Sequence, residues 1–356
     1  MRFAFTEQQI LFRDVVREML ARECPPAAVR AAWSDQPLSQ LRAWQSLAQL
    51  GVVGGAIGER YGGLGLSDLD LILVLEETGR AALPAPIVEH AVGLRLLEAL
   101  GAEASKAPTQ SGAWTLAQRW LPRAARGEAL IAVAMAAVPY LSHGAEADLF
   151  IVQRGTALHV LDRAQVRIER QPSVDGSRRL YSFDFDATAD AVLADGIAAR
   201  TVCGLALDRG AIGTAAQLIG LGQRMLEMTV DYVKVRHQFG APIGSFQAIK
   251  HALADVVLAL ELARPLVYRA ACSIAQERAE DERALHASMA KACAGEAAHL
   301  AARTALQCHG AIGYSFEHDL HLWMKRVWAL ERAWGDARWH RERVGQLRID
   351  RQEGES

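Results

Sequence analysis

No stretch of this sequence approaches the roughly 20 consecutive apolar residues that a membrane-spanning helix needs. Met1 to Glu23 alternates charged with apolar side chains and has no apolar core of a secretory leader. The expectation is a soluble, cytoplasmic protein. Cysteine is sparse: Cys24, Cys203, Cys272, Cys293 and Cys308 are scattered, odd in number and form no CxxC pair. That argues against a disulfide framework and a zinc site, so no metal is expected, and it fits a reducing compartment. Charge of one sign is not in excess either. Lys+Arg is 39 against Asp+Glu 41, a net charge of -2, which gives no broad pull toward nucleic acid or a membrane surface. Any anion must therefore be met by a local device. The cations are mostly arginine, whose planar fork suits phosphate and carboxylate. Low-complexity sequence and internal repeats are missing too. With 51% apolar and 22% charged residues, the chain is an ordinary globular mixture, long enough for two or three domains.

The first third reads as helix. From Thr6, a plausible N-cap, Ile10, Phe12, Val15, Val16, Met19 and Leu20 share one face. Trp44, Leu47 and Leu50 suggest a second helix ended by Gly51, and Gly58 to Gly65 is a glycine-rich loop. Another helix follows Ser67, and after Pro84-Ala-Pro86 helix resumes through Val92 to Leu100. Near Ala129 the segments become short and alternating. Leu149–Val152, Leu158–Leu161, Val166–Ile168 and Leu180–Asp186 read as strands of a small antiparallel β domain, with Tyr181, Phe183 and Phe185 on one side of the last. From about Leu207 helix returns, with one long helix containing Ile249 to Leu262 and another, alanine-rich, over roughly Asp281 to Cys308. The reading is α+β and mostly α: an N-terminal helical domain (residues 1–124), a middle β domain (residues 125–204) and a C-terminal helical bundle (residues 205–356).

Two segments carry chemistry. Arg236 to Gln247 (RHQFGAPIGSFQ) links two helices, with Gly240 and Pro242 marking a tight connection and Ser245 placed to cap the following helix. A guanidinium beside a helix start offers an anion several donors at once. The same residues also suit a plain helix hairpin whose arginine favours a helix C-terminus. Gln307 to Tyr314 (QCHGAIGY) ends the alanine-rich helix with two glycines, which serve a helix stop or a close backbone approach.

Together these stretches resemble the acyl-CoA dehydrogenase family. Arg236–Asp255 is similar to that family's C-terminal helical domain, and Gln307–Tyr314 with Glu317-His-Asp319 to its second signature. Leu50–Arg80, with Tyr61-Gly-Gly63 and Glu76-Glu-Thr-Gly79-Arg80, is similar as well. The likeness is weakest between Ala129 and Arg200. It implies a helical–β–helical architecture and FAD held between the β domain and the C-terminal helices, shared across subunits. Arg236 and Gln238 match contacts to the FAD phosphates and ribityl chain. Phe239 belongs to the same cofactor set, and Phe246 and Gln247 match positions near the adenine. Gln307, His309, Gly310 and Ala311 match the segment that receives the ADP part of a neighbour's FAD. In the middle domain the nearest equivalent of the family's flavin-packing strand is Tyr140-Leu-Ser142. Tyr140 then faces the isoalloxazine and Ser142 hydrogen-bonds it, or the segment is an ordinary turn.

The family's reaction removes a proton from the acyl α-carbon while hydride leaves the β-carbon for the flavin, which calls for a carboxylate base. Aligning from Met324 puts Trp334 where most members carry that Glu, and the alternative position falls near Gly210, where no acid stands. Leu320, Trp323, Val327, Leu330 and Trp334 also have the spacing of one helical face. Glu331, Asp336, Glu317 and Asp208 are the weak substitutes. Three readings follow: an active FAD-dependent acyl-CoA dehydrogenase with a displaced base; one subunit of a mixed assembly in which a homologous partner supplies the complementary base or FAD half-site; or a helical scaffold that kept the fold without the chemistry. FAD sites that span subunits in the family imply a homo- or hetero-oligomer with a homologous subunit. The resemblance implies an acyl-CoA substrate, in some relatives steroid- or ring-bearing, and an electron-transferring flavoprotein as acceptor.

Overall fold

Thr6 opens the first helix. Its hydroxyl accepts the Gln9 N–H at 3.2 Å, and the Gln9 amide oxygen accepts the Thr6 N–H at 2.8 Å. This reciprocal box satisfies two donors that a helix start otherwise leaves open. The computed structural model describes residues 4–34, 37–105, 112–136, 138–186 and 191–354. In chain order it contains α1 (Glu7–Glu23), α2 (Pro26–Ala31), α3 (Arg42–Gln49), α4 (Asp68–Arg80), α5 (Ile87–Ser105) and α6 (Gly112–Ala125). Then come β1 (Ile131–Ala134), β2 (Leu141–Ser142), β3 (Leu149–Arg154), β4 (Ala157–Asp162), β5 (Val166–Gln171), β6 (Leu180–Phe185) and β7 (Val192–Ala194). The chain continues with α7 (Gly196–Val235), β8 (His237–Gln238), β9 (Ala241–Pro242), α8 (Gln247–Ala275), α9 (Glu280–His309), α10 (Leu320–Arg332) and α11 (Ala337–Gly354). This is the helical–β–helical order read from periodicity. No helix among the described residues is long and apolar enough to cross a membrane.

The described residues form two compact units. One, the mixed unit, lies within Ala31–Leu71 and Pro84–Gly210. Its four-stranded sheet has the order β1-β3-β4-β7 and its three-stranded sheet the order β2-β6-β5. Tyr181 and Phe185 are buried and Asp184 is exposed, as the alternation requires, while Phe183 is only half-buried. The expectation of a purely antiparallel domain needs one correction. β1 pairs with β3 in parallel, Ile131 opposite Leu149. The intervening β2 departs to the other sheet, so β1 and β3 are not joined by a hairpin and need not run opposite ways. Leu149 to Val152 is buried without alternation, the pattern of a strand covered on both faces.

His90 ties α5 to its neighbours in this unit. The Ile131 N–H donates to its Nδ1 at 3.2 Å, and its Nε2 donates to the Ala124 carbonyl at 3.1 Å. The ring is therefore neutral, and burial pushes its pKa down to about 4. The unfolded chain takes up this proton near pH 6.5, whereas the folded chain resists until about 4. Stability falls as pH drops through that window, by up to about 1.4 kcal/mol per pH unit for one such histidine. We expect His90→Gln to flatten the pH dependence of urea unfolding between pH 6.5 and 4 relative to the parent. An unchanged slope would show that His90 is not the group responsible.

The other, helical unit lies within Met1–Arg30, Ile72–Leu83 and Ala211–Ser356. Here each residue of the motif Glu76-Glu-Thr-Gly79-Arg80 has a packing role. Glu76 accepts from the Tyr268 hydroxyl at 2.8 Å and from Arg264 Nε at 3.1 Å. Burial raises its pKa against the pull of Arg264. Glu77 pairs with Arg17 at 2.6 Å, and Arg80 with Glu227 at 2.7 Å. Thr78 Oγ1 accepts from the Gln217 amide at 3.1 Å. Gly79 lets α4 touch α7: a Cβ there would stand 2.1 Å from the Gln217 carbonyl oxygen, and one on Gly220 would stand 1.9 Å from that of Glu76. A cleft of about 410 Å³ opens beside this crossing. Glu76, Glu77, Glu227 and Glu261 on its walls each meet an arginine. Its charge is thus internally matched, and the cleft works as an ionic clamp between α1, α4, α7 and α8 rather than as a reactive centre.

Candidate functional site

The two segments singled out in the sequence meet in the helical unit. Helix α7 ends at Val235, and the Arg236 N–H still donates to the Tyr232 carbonyl at 2.9 Å. The chain then turns through a two-residue hairpin in which His237 faces Pro242 and Gln238 faces Ala241. Its tip, Phe239 (φ 51°) and Gly240 (φ 78°), is left-handed at both positions, as a turn matching strand twist demands. The Ile243 N–H closes the loop onto the Arg236 carbonyl at 2.8 Å. Ser245 does not cap α8, contrary to expectation. Its hydroxyl donates to the Pro242 carbonyl at 2.7 Å, and Phe246 occupies the N-cap without a side-chain bond.

The second segment comes alongside through Tyr232. Its ring stacks on His309 with centroids 4.3 Å apart, and His318 meets His309 edge-on at 4.9 Å. His309 Nδ1 donates to the Ala305 carbonyl at 2.8 Å, and burial lowers its pKa. Helix α9 then stops at Gly310, whose φ of 66° and ψ of -144° are accessible essentially to glycine alone. Nothing lies within 4 Å of where a Cβ on Gly310 or Gly240 would stand. The backbone at both turns is therefore open to a close approach from outside.

Arg17, Arg80, Arg178, Arg209 and Arg264 each meet a carboxylate within 3.2 Å. The Arg236 side chain is exposed and meets no hydrogen-bonding or ionic partner among the described residues. Gln238, Phe239, Phe246, Gln247, Gln307, Gly310 and Ala311 are exposed as well, while His309 is buried. Phe239 is the extreme case, 94% exposed in a backbone conformation that bulky residues avoid. Its near aromatic neighbour is Phe246 at 6.2 Å. A free guanidinium, exposed amides and open glycine turns are the donor set that a dinucleotide diphosphate needs, so the residues present fit FAD.

Tyr140 and Ser142 belong to the mixed unit. Tyr140 is 43% exposed at the bend before β2. Ser142 is buried within β2 opposite Leu180, its hydroxyl 3.2 Å from His143 Nδ1.

The region of the expected base has a definite geometry. Leu320, Trp323, Val327 and Leu330 are buried on one face of α10, as their spacing predicts. Trp334 is fully buried too, but it does not continue that face. The helix stops at Arg332, and Trp334 (φ 60°) and Gly335 (φ 91°) turn left-handed. Buried Lys291 holds the turn, donating to the carbonyls of Glu331 at 2.8 Å and Gly335 at 2.9 Å. His340 Nε2 donates to the Trp334 carbonyl at 2.8 Å, and burial, aided by Lys291, lowers that imidazole to about 3. The Glu331 carboxylate lies 3.2 Å from His299 Nδ1. The Asp336 carboxylate accepts the Trp339 N–H at 2.8 Å, capping α11. Both acids are thus engaged in local structure. Sequence reading assigned no role to Lys291 or Tyr232, and His318 entered only as part of the second signature. A single cation within Met289-Ala-Lys-Ala292 was the available signal for the first, since small neighbours on a helix imply burial.

Among the described residues no group of three or more His, Cys, Asp or Glu is placed to hold a metal, and all five thiols are free.

Comparison with known proteins identifies the family and the fold. The model of the acyl-CoA dehydrogenase C-terminal domain matches residues 200–350, and that of the N-terminal domain matches residues 6–128. The acyl-CoA dehydrogenase IpdE2 of Mycobacterium tuberculosis is 32% identical over 324 residues, covering 90% of this chain and 91% of that protein. Butyryl-CoA dehydrogenase from Megasphaera elsdenii has the same fold, with a TM-score of 0.82 at 22% identity over 98% of this chain and 100% of that one. So does a chain of the ChsE4-ChsE5 complex from Mycobacterium tuberculosis, with a TM-score of 0.81 at 23% identity over 97% and 98%. On two domain matches, a full-length relative and a shared fold, the chain belongs to the acyl-CoA dehydrogenase family.

Proposed function

We propose that this protein is an FAD-dependent acyl-CoA dehydrogenase subunit that works beside a homologous chain. The observation that carries the reading is the unpartnered, exposed Arg236 guanidinium beside a glycine-turned backbone. A surface arginine gains nothing for the fold by standing free, but it meets a diphosphate with a bidentate, charge-assisted contact. The exposed amides of Gln238, Gln247 and Gln307 would donate to the same cofactor, and Gly310 would let the backbone come near it. Bound FAD supplies the hydride-accepting chemistry of α,β-dehydrogenation. Phe239, held left-handed and almost wholly in solvent, suits a contact with the cofactor or with the adjoining chain.

The heteromeric form of the reading rests on Trp334. A buried indole cannot accept the α-proton, and Glu331 and Asp336 are committed to His299 and to the start of α11. A homologous partner that supplies the carboxylate resolves this, and a structural neighbour is itself a two-protein complex. An electron-transferring flavoprotein is the proposed acceptor, and an acyl-CoA thioester the substrate class.

The test is flavin content. Purified alone, or co-expressed with homologous chains encoded nearby, the protein is expected to retain FAD and to show its visible absorption band. The band should bleach on acyl-CoA addition only when the partner is present. No band in either form after FAD is supplied would overturn the proposal.

A further inference from the structure

Tyr232 is the side-chain link between the two segments of the candidate site. It stands four residues before Arg236, and its carbonyl accepts the Arg236 N–H at 2.9 Å. One turn of helix therefore carries the chain from this ring to the free guanidinium. The ring lies on the His309 imidazole, with centroids 4.3 Å apart and planes 21° from parallel, a stacked pairing that adds to simple burial. His309 is in turn fixed on its own helix. Its Nδ1 donates to the Ala305 carbonyl at 2.8 Å, and His318 meets it edge-on at 4.9 Å. The next residue is Gly310, where the backbone turns left-handed and lies open. One side of the stack thus sits at the base of the Arg236 hairpin and the other at the base of the Gly310 turn.

Among the described residues no hydrogen bond or ion pair joins residues 236–247 to residues 307–314. The spacing of these two sets of donors therefore depends on the ring contact and on the helix packing beneath it. The Tyr232 side chain is half-buried, and its hydroxyl meets no partner among the described residues. What the position supplies to the contact is a flat ring, not a hydrogen bond.

We infer that Tyr232 is a positioning residue for the cofactor: stacked on His309, it holds the Arg236 hairpin and the Gln307–Ala311 segment at the spacing that lets one dinucleotide engage both. The inference rests on the FAD-dependent reading above. Two sets of donors held at a fixed separation meet a long ligand as one site. Where the separation varies, the second set must be ordered at the moment of binding, and affinity falls. Tyr232 acts in this way through His309 and needs no contact of its own with the cofactor.

The test is FAD titration of the full-length apoprotein, in the assembly that retains FAD, set beside its thermal unfolding. Tyr232→Phe keeps the ring and is expected to bind FAD as the parent does. Tyr232→Leu keeps an apolar side chain without the ring, and FAD binding should weaken by about three- to tenfold, the effect of ordering one or two more side chains at binding. His309→Leu removes the same stack from its other side and should weaken binding alike. A double-mutant cycle with Gln307→Ala separates positioning from a loss of stability alone. If the stack sets the spacing, Gln307→Ala weakens FAD binding less in the Tyr232→Leu background than in the parent, because the amide there is already misplaced. Additive losses in that cycle, or a Tyr232→Leu protein that binds FAD as tightly as the parent, would overturn the inference while leaving the family reading intact. A Tyr232→Phe loss as large as that of Tyr232→Leu would overturn it too, by assigning the effect to the hydroxyl. Failure of the parent itself to bind FAD would instead overturn the functional reading on which the inference stands.

Discussion

Gly220→Ala is expected to cost about 3 kcal/mol and to lower the Tm by roughly 6–12 °C. The added methyl would stand 1.9 Å from the Glu76 carbonyl oxygen, far inside contact distance, and the obstructing atom is backbone rather than a flexible side chain. Relief requires α4 and α7 to separate. That separation would also stretch the bond between Gln217 and Thr78, and those from Tyr268 and Arg264 to Glu76. Gly79→Ala should behave alike, because it meets the Gln217 carbonyl at 2.1 Å. The two together should cost less than their sum, since one separation of the helices relieves both. Gly345→Ala is the contrast. That glycine sits in α11 with open space around it, and alanine there should be neutral or stabilise by up to about 1 kcal/mol. Thermal unfolding of the three single variants and the double one checks this, and a Gly220→Ala protein as stable as the parent would show that the helices are not pressed together.

Arg236→Ala is the counterpart at the candidate site. Its expected effect is a weakening of FAD binding by about 10- to 100-fold, the loss of charge-assisted bonds worth about 1.5–3 kcal/mol. The Tm of the FAD-free protein should move by less than about 0.5 kcal/mol equivalent, because the guanidinium is exposed and unpaired. Arg236→Lys should recover only part of the affinity, since an ammonium restores the charge without the fork. FAD titration of the apoprotein, set beside its unfolding curve, separates the effects. Equal losses in binding and stability would return Arg236 to the role of a helix-end structural residue.

The order of helices and strands was legible because its signals are local. Thr6 and Gln9 form their capping box three residues apart, Tyr181, Asp184 and Phe185 keep the alternation, and α9 ends within a residue of its reading. What stayed hidden depends on distant partners. Nothing near Gly79 or Gly220 announces that their helices cross there. The small neighbours of Lys291 hint at burial, but its two carbonyl partners, on Glu331 and Gly335, lie some 40 residues on. Trp334 fits the spacing of α10 and is buried as that spacing suggests, but the helix stops two residues earlier. Heptad-like spacing cannot distinguish a last helical turn from a left-handed one that delivers the same side chain inward. At the candidate site the residue types were legible, whereas the freedom of Arg236 was not. A motif names a guanidinium, and only the folded chain shows whether a carboxylate has already claimed it.

The hairpin that follows Arg236 sets a strict rule on loop length. Successive side chains in a strand point to opposite faces, and this turn has only two residues at its tip, Phe239 and Gly240. One residue inserted at the tip would exchange this two-residue turn for a three-residue, bulged one, and one inserted within β8 would turn the Gln238 amide to the reverse side. Exchanges of side chain leave the array of donors aimed as it is, whereas a change of length re-aims it.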